Sequence, residues 1–504
     1  LLKSRAWRMM RQMSPAALAA TGVFLITVIA LFIPPYIGMA DNGDYARILN
    51  GLYVNDPTYN SQYFGYFVKT YGIFQYYNEN HAGIFSTQTF FIQSAIWLSQ
   101  LFHKSDTFDI RYQAGMYLVI YTAAVYLLVE ALTWKMSRKL GYLVAALVVF
   151  ILGDTGYTAY FNSFYGESVV LIMTVFMVAF GLLLYRKRYN DYVMLVLFVL
   201  SAMILTASKQ QNAPVGIIAA IIGVFFIYIR KTSMYRLVAS ILLVSLLGVG
   251  VCTYVLIPKE FVNINKYHAM TRGVLMGSAD PEKTLESFEI DKQFAILNKT
   301  IYYDPYTMID VESQLLEDEF YSKYGFVSIL TYYIKHPRQA EQMLDLAARD
   351  GFSIRPKAMG NYEKSVGKPF GTQTVFFSGY SILKYALAPK AFGFIIIWLL
   401  IILGLYTPSF VAAIRSQQWR KTIRLPLIVM LIGVGLSGIF VSIIGAGDAD
   451  LAKHEFLFTV IFDMVSLITI VDLAAKRLWN QEEEKEEVKS EPRIPVGQGG
   501  NFHA

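Results

Sequence analysis

The feature that most constrains this chain is a set of long apolar runs separated by short clusters of lysine and arginine. "AALAATGVFLITVIALFIPPY", from Ala16 to Tyr36, is the first. A hydrocarbon core of roughly 30 Å takes about 20 helical residues to cross, and a run of this kind has no stable place in water. Hydrophobic residues make up 55% of the 504, and charged residues only 16%, so the apolar runs are not the core of an ordinary soluble domain. The expected fold class is an all-α polytopic membrane protein.

The basic clusters set the topology. They lie at Lys3 to Arg11, "KMSRK" (135–139), "RKR" (186–188), "RKTSMYR" (230–236), "RSQQWRKTIR" (415–424) and "KR" (476–477). Such clusters mark cytoplasmic loops, so the net charge of +7 is a topology signal and not a nucleic-acid footprint. The connectors "DTGYTAYFNSFYGES" (154–168), "SKQQNAP" (208–214) and "GAGDADLAKHE" (445–455) have almost no basic residues and belong outside. That alternation leaves no room for a span at Ile84–Phe102, whose run is broken by Gln88, Gln93, Ser94 and Gln100. An amphipathic helix in the outer interface fits it, with its polar residues facing water.

Ten spans follow, near 16–36, 112–134, 140–157, 168–185, 190–207, 214–230, 235–257, 390–412, 425–445 and 455–475, with both termini cytoplasmic. The first is read as a retained span, because its long apolar run lacks a small-residue cleavage pattern. The expected organisation is an N-terminal transmembrane module (1–257) with its first outer loop at about 37–111, an extracytoplasmic region (258–389), C-terminal transmembrane helices (390–475) and a disordered cytoplasmic tail (476–504). Within 258–389, apolar residues recur at helical spacing and predict a cap over the bundle. Cys252, the single cysteine, is read as core filling.

"MADNGDYARI" then places Asp41 and Asp44 directly after the first span, three residues apart. One reading is structural: Asp41 caps a helix starting at Asn42 and Asp44 complements its first turn, stabilising by about 0.5–2 kcal/mol. The other is chemical: a general base at the water–lipid boundary, its pKa raised by desolvation and a like charge one turn away. The two are compatible.

A first span, an outward loop opening on an acidic motif, interfacial helices and many further spans resemble the GT-C superfamily of integral-membrane glycosyltransferases. "MADNGDYARI", "YFNSFYGES" (160–168), "YIKHPRQ" (333–339) followed by "GNYE" (360–363), and "GDADLAKHEFLF" (447–458) together look like bacterial cell-surface glycan hexose transferases of the WsfD-like type in S-layer glycan assembly. The resemblance implies a GT-C-like bundle, a lipid-phosphate-linked donor and an acidic residue that activates the acceptor, with Asp41 the closest match. Asn42 stands where several families have a second acid, and the next carboxylate is Asp44.

Sugar transfer from a polyprenyl phosphate needs a base, cations for the leaving phosphate and polar or aromatic groups for the sugar. Arg272, Lys209, Arg355, Lys453 and His454 are candidate phosphate partners, each with a solvated or snorkelling charge as the plain alternative. Glu167, Asn162, Tyr165 and Asp448 are candidate sugar or acceptor contacts, with helix capping the alternative for Glu167 and Asp448. Asp463 falls inside the last span, where an unpaired charge costs about 2.5–3.5 kcal/mol, so it should face protein. Asp41 and Asp44 could hold a hard cation such as Mg²⁺ or Mn²⁺, but two carboxylates do not complete a site, and no cofactor is firmly indicated.

No P-loop or dinucleotide fingerprint occurs, which fits a lipid-activated donor. The expected function is an inverting transferase in the bacterial cytoplasmic membrane. It moves a hexose from polyprenyl phosphate, with undecaprenyl the expected carrier, to a cell-surface glycan or glycolipid on the outer face. The alternatives are a lipid-linked sugar transporter or flippase, for which no repeat is seen, and a glycan polymerase or ligase, which Arg272, Arg338, Arg349 and Arg355 keep open.

Overall fold

In the computed structural model of the chain, the described residues are 13–43, 45–49, 51–54, 58–74, 83–449 and 451–478. Asp44 and most of the tail lie outside them. Helices dominate because, away from water, a helix is the structure that satisfies its backbone groups within one segment. The first, α1 (Pro15–Phe32), starts where Ser14 accepts from the amide of Ala17 and proline occupies the first turn. It is followed by α2 (Arg111–Thr133), α3 (Arg138–Leu152), α4 (Glu167–Tyr185), α5 (Asp191–Thr206), α6 (Gln210–Ile229), α7 (Ser233–Val255), α8 (Phe392–Arg415), α9 (Lys421–Ala446) and α10 (Phe456–Ala474).

These ten helices occupy the ten expected positions, but they are not ten equal spans. Among the described residues, eight are long and apolar enough to cross a bilayer. Helix α3 reaches span length only together with the helix Thr155–Asn162, bent from it by 48°, and α5 is apolar but short. The bend falls at Asp154, whose Oδ1 accepts from the amide of Gly156 and whose Oδ2 accepts from that of Ser381. The Asp154 carboxylate thus caps the helix that follows α3 and binds the first turn of the distant helix Gly379–Leu387.

Helices α4 and α10 form the centre, with 89% and 78% of their most apolar stretches buried. Helices α7 and α8 are peripheral at 22% each, and their outer faces (Ile241, Val244, Val251; Ile397, Leu400, Ile401) are exposed. Cys252 corrects its expected role: it is exposed on α7, because that helix turns much of its surface toward lipid. The helix Gln88–Phe102 is too short to span and exposes Phe90, Trp97 and Leu101 beside Gln93 and Gln100, as an interfacial helix would. Its Gln88 departs from the expectation of water-facing polar residues. It is fully buried and donates to the carbonyl of Tyr165 at 2.8 Å.

Residues 258–389 build a second core. It runs from Ile264 to Phe352 and closes on Ile439, Ile443, Ile444 and Phe458, at the facing ends of α9 and α10. The helical pattern expected within 258–389 is split, from residue 310 on, into Gln314–Glu319, Phe326–Lys335 and Pro337–Gly351, with Gly325 and Pro337 at the breaks. Two small antiparallel sheets tie loops together at this end. Strands β1 (Ile37–Met39) and β5 (Met359–Tyr362) form one; β2 (Leu52–Tyr53), β3 (Thr70–Ile73) and β4 (Thr107–Asp109) form the other. The β1–β5 pair joins segments from the two halves of the chain, and it fixes the stretch that leads into Asp41.

Candidate active site

Asp41 follows β1 after a single residue, and Ala40 extends the pairing by donating to the carbonyl of Ala358 at 3.0 Å. Close packing holds this segment: a Cβ on Gly38 would lie 2.4 Å from the Phe67 ring. Asn42 is locked on its other side. Its side chain donates to the hydroxyl of Tyr71 at 3.0 Å and accepts from the amide of Phe164 at 2.6 Å. Asn162 reinforces the clamp by donating to the carbonyl of Ile37 at 2.8 Å. Through these bonds Asn42 and Asn162 position the segment that carries the aspartate.

The Asp41 carboxylate gathers three donors. Tyr63 donates to Oδ1 at 2.7 Å and Tyr165 at 3.1 Å, while the Lys453 ammonium donates to Oδ2 at 2.7 Å. Lys453 also lies 3.3 Å from the Tyr165 hydroxyl and 4.5 Å from the centre of its ring. Asp41 is 5% exposed. Burial pushes its pKa up, but the Lys453 charge, with hydrogen bonds from Lys453, Tyr63 and Tyr165, outweighs this and holds the carboxyl below its ordinary value. Asp41 does not cap a helix starting at Asn42, since the helix here is Tyr45–Ile48 and the Asp41 side chain is spent on Tyr63, Tyr165 and Lys453; the part of that reading that falls on Asp44 lies outside the described residues.

The remaining candidates are engaged with partners other than Asp41, two pairs of them with one another. Lys209 pairs with Glu167 at 2.5 Å, where Glu167 is fully buried in the first turn of α4. Arg272 makes a bidentate pair with Asp448, at 2.6 and 2.8 Å. Gly447 makes that approach possible: at φ +61° a Cβ would lie 2.6 Å from the backbone of Arg272. Arg355 donates to the carbonyl of Thr374 and to Ser378, and so braces the 355–378 loop. His454 exchanges hydrogen bonds with Gln211. Of the five predicted phosphate cations, Lys453 is the one that faces Asp41.

No group of three or more His, Cys, Asp or Glu among the described residues could hold a metal ion. A cation at Asp41 would have to displace the Lys453 ammonium.

Sequence reasoning missed Tyr63, Tyr59 and Glu455. Tyr63 and Tyr59 lie on the helix Tyr59–Gln62 and the turn after it, and Tyr59 has its hydroxyl buried without a hydrogen-bond partner. Glu455 stands inside the quoted "GDADLAKHEFLF", two residues after Lys453. It is fully buried, neither oxygen is hydrogen-bonded, and burial together with Asp350 pushes its carboxyl far above the ordinary range. Its signal was legible as an acid at the mouth of an apolar run.

A cavity of about 280 Å³ lies at the start of the helix Gln88–Phe102, lined by Ile48, Ile84, Phe85, Ser86, Thr89 and Phe90. Ser86 donates to the carbonyl of Ser208, the neighbour of Lys209, and Thr87 donates to that of Ile204, so the segment that lines the cavity is tied to the end of α5. Among curated proteins and solved structures, none matches the chain. A family model does, over residues 3–490: this is a membrane protein with several membrane-crossing helices, and the chain belongs to the family of the YfdI N-terminal transmembrane domain.

Proposed function

We propose that this protein is a GT-C-type glycosyltransferase that uses a polyprenyl phosphate sugar, with its active site at Asp41 facing outward from the bacterial cytoplasmic membrane. The observation that carries the reading is the Asp41–Lys453 pair, a potential base and a potential phosphate ligand 2.7 Å apart at the end of a membrane bundle. Membership in a transmembrane family consistent with the GT-C architecture supports it, as does the apolar cavity, which suits a lipid tail. A second cavity, of about 320 Å³, is lined by Glu260, Asn263, Tyr302, Glu312, Glu317 and Tyr321, groups that suit acceptor hydroxyls.

The pair also suggests how the base is switched on. With Lys453 in place, Asp41 is ionised but weakly basic. A donor phosphate draws Lys453 away, and the buried carboxylate, no longer balanced, becomes more basic. Asp41 then removes the proton of an acceptor hydroxyl, whose oxygen attacks the anomeric carbon. The bond from that carbon to the phosphate oxygen breaks with inversion, and polyprenyl phosphate departs with Lys453 beside its charge.

The test is incubation of the purified protein with short-chain polyprenyl phosphate hexoses and an acceptor glycan. Released polyprenyl phosphate and extended acceptor, both lost in Asp41→Asn, are expected. Movement of intact donor across a vesicle membrane, with no release, would replace the transferase with a transporter.

A further inference from the structure

Lys453 precedes α10 and Asp472 closes it, so the two lie at opposite ends of that helix, roughly 28 Å apart at 1.5 Å per residue. Around Asp472 the charges do not balance. Arg424 reaches Oδ2 at 2.6 Å, while Arg186 and Arg477 stand 3.6 and 3.8 Å from Oδ1, beyond hydrogen-bonding distance. The side chains are 11% (Arg186), 8% (Arg424) and 16% (Arg477) exposed, against 2% for Asp472. Three guanidinium ions thus share one carboxylate in a nearly dry site.

Two of the three have other partners. Arg477 donates to the carbonyls of Leu132 and Trp134 at 2.7 and 2.6 Å, and Arg424 donates to the carbonyl of Arg477 at 3.0 Å. These carbonyls close helices, whose negative ends offset part of the charge. Arg186 has no such relief, and its Nε is buried without a hydrogen-bond partner. The imbalance continues next door. Arg420 and Arg230 both bind Asp191, and Arg420 also donates to the carbonyl of Leu184 on the last turn of α4. Burying an excess of cations is costly unless an anion completes the set.

We infer that Arg186, Arg424 and Arg477 form a binding site for a phosphate-bearing anion, either the headgroup of an anionic phospholipid or free inorganic phosphate. Guanidinium forks match phosphate oxygens, and a basic pocket between membrane helices is where an anionic headgroup is held. Helix α8 reaches the site through Tyr406, which donates to Asp472 at 3.0 Å, and further along it exposes Val411 and Ile414, apolar surface along which acyl chains can lie. This site is independent of the proposed sugar chemistry.

The experiment uses the full chain in detergent micelles, reading thermal stability as phosphatidylglycerol, phosphatidylcholine or inorganic phosphate is added. A saturable rise in melting temperature with phosphatidylglycerol and not phosphatidylcholine is expected; the same rise with phosphate alone identifies the free ion. Arg186→Gln should weaken the apparent affinity about tenfold or more. Arg188→Gln, which removes the partner of Glu130 instead, should leave it unchanged. Phosphatidylglycerol retained through purification, read by native mass spectrometry on the unaltered protein, supports the site even if Arg186→Gln does not fold. Equal weakening by both variants would mean diffuse attraction and overturn the site. So would indifference of the unaltered protein to all three additives with no lipid retained.

Discussion

Asp463 and Asp41 have the same kinds of partner in different settings. Asp463 accepts from Lys384 at 2.6 Å and from Tyr157 at 2.5 Å; Asp41 accepts from Lys453 and two tyrosines at similar distances. The first group sits on long or well-packed elements: α10, the helix Gly379–Leu387 and the helix after α3. Its lysine and aspartate side chains are 5% and 0% exposed. The second hangs on the end of β1, a turn, a loop and the four-residue helix Leu451–His454, and its lysine is 13% exposed. A buried ion pair whose two members lie on packed helices in the dry interior ties those helices together. One whose lysine is partly exposed and sits on a four-residue helix can exchange partners, which is what a reaction cycle requires.

The sharpest way to break this comparison is to remove the charge from each aspartate. Asp41→Asn keeps the shape and should leave folding intact while lowering turnover by about 10²–10⁴, the usual loss of a general base. Asp463→Asn should instead lower the yield of folded protein and spare turnover per folded molecule. Thermal melts and release of polyprenyl phosphate, measured on both, decide it; a fully active, stable Asp41→Asn would make the two aspartates equivalent and remove the proposed base.

Lys384 tests the structural half. Lys384→Met leaves Asp463 charged in a dry interior, at a cost of about 3–5 kcal/mol. Replacing both, as Lys384→Met with Asp463→Leu, should recover most of it, because a packed apolar pair is often as stable as a buried ion pair. If the double variant is no better than the single in denaturation, the tyrosine and packing contacts matter more than the charge balance.

The sequence made Asp463 easier to read than its partner. A carboxylate inside an apolar run must be neutralised by protein, whatever the fold, and it is 1% exposed. Lys384 gave no such signal, because its stretch reads as an ordinary amphipathic segment in a long loop. The ten helical positions were legible for the same reason as Asp463: transfer out of water acts residue by residue along the chain. The bend at Asp154 was not, since it depends on Ser381, far along the chain. At the candidate site the motif around Asp41 marked the place, and Lys453 was readable as a rare basic residue in an outer connector whose other charged groups include Asp448 and Glu455. Their pairing, from near the two ends of the chain, was not readable, nor was the mutual engagement of Arg272 with Asp448 and Lys209 with Glu167.

Lys453→Met sharpens the functional half. Without the ammonium, burial is left as the leading influence on Asp41, so its carboxyl shifts upward. The acid limb of the pH–rate profile should move to higher pH, and donor affinity should fall by about 10- to 150-fold with the charge-assisted contact. The sign for stability follows from the depressed folded-state pKa. In the unaltered protein the pair stabilises above the unfolded carboxylate range, and that contribution is lost as pH falls through the folded value. The variant should lack this acid-side loss. A pH profile and donor affinity that do not move would place Lys453 outside the site.

The smallest effect is expected from the tyrosine hydroxyls, and it separates the two groups most finely. Tyr63→Phe removes one of the donors to Oδ1 but leaves Lys453 and Tyr165 in place. Asp41 should then rise in pKa by less than in Lys453→Met, moving the acid limb in the same direction, at a stability cost of about 0.5–1.5 kcal/mol. Tyr157→Phe removes a donor from Asp463 deep in the bundle, where no exposed group replaces it. It should cost stability toward the upper end of a buried unsatisfied group, about 1–3 kcal/mol, and leave the pH–rate profile where it was. Paired melts and pH profiles of the two variants read both quantities. If Tyr157→Phe shifts the acid limb and Tyr63→Phe does not, the carboxylate that titrates in catalysis is Asp463, and the roles assigned to the two aspartates are exchanged.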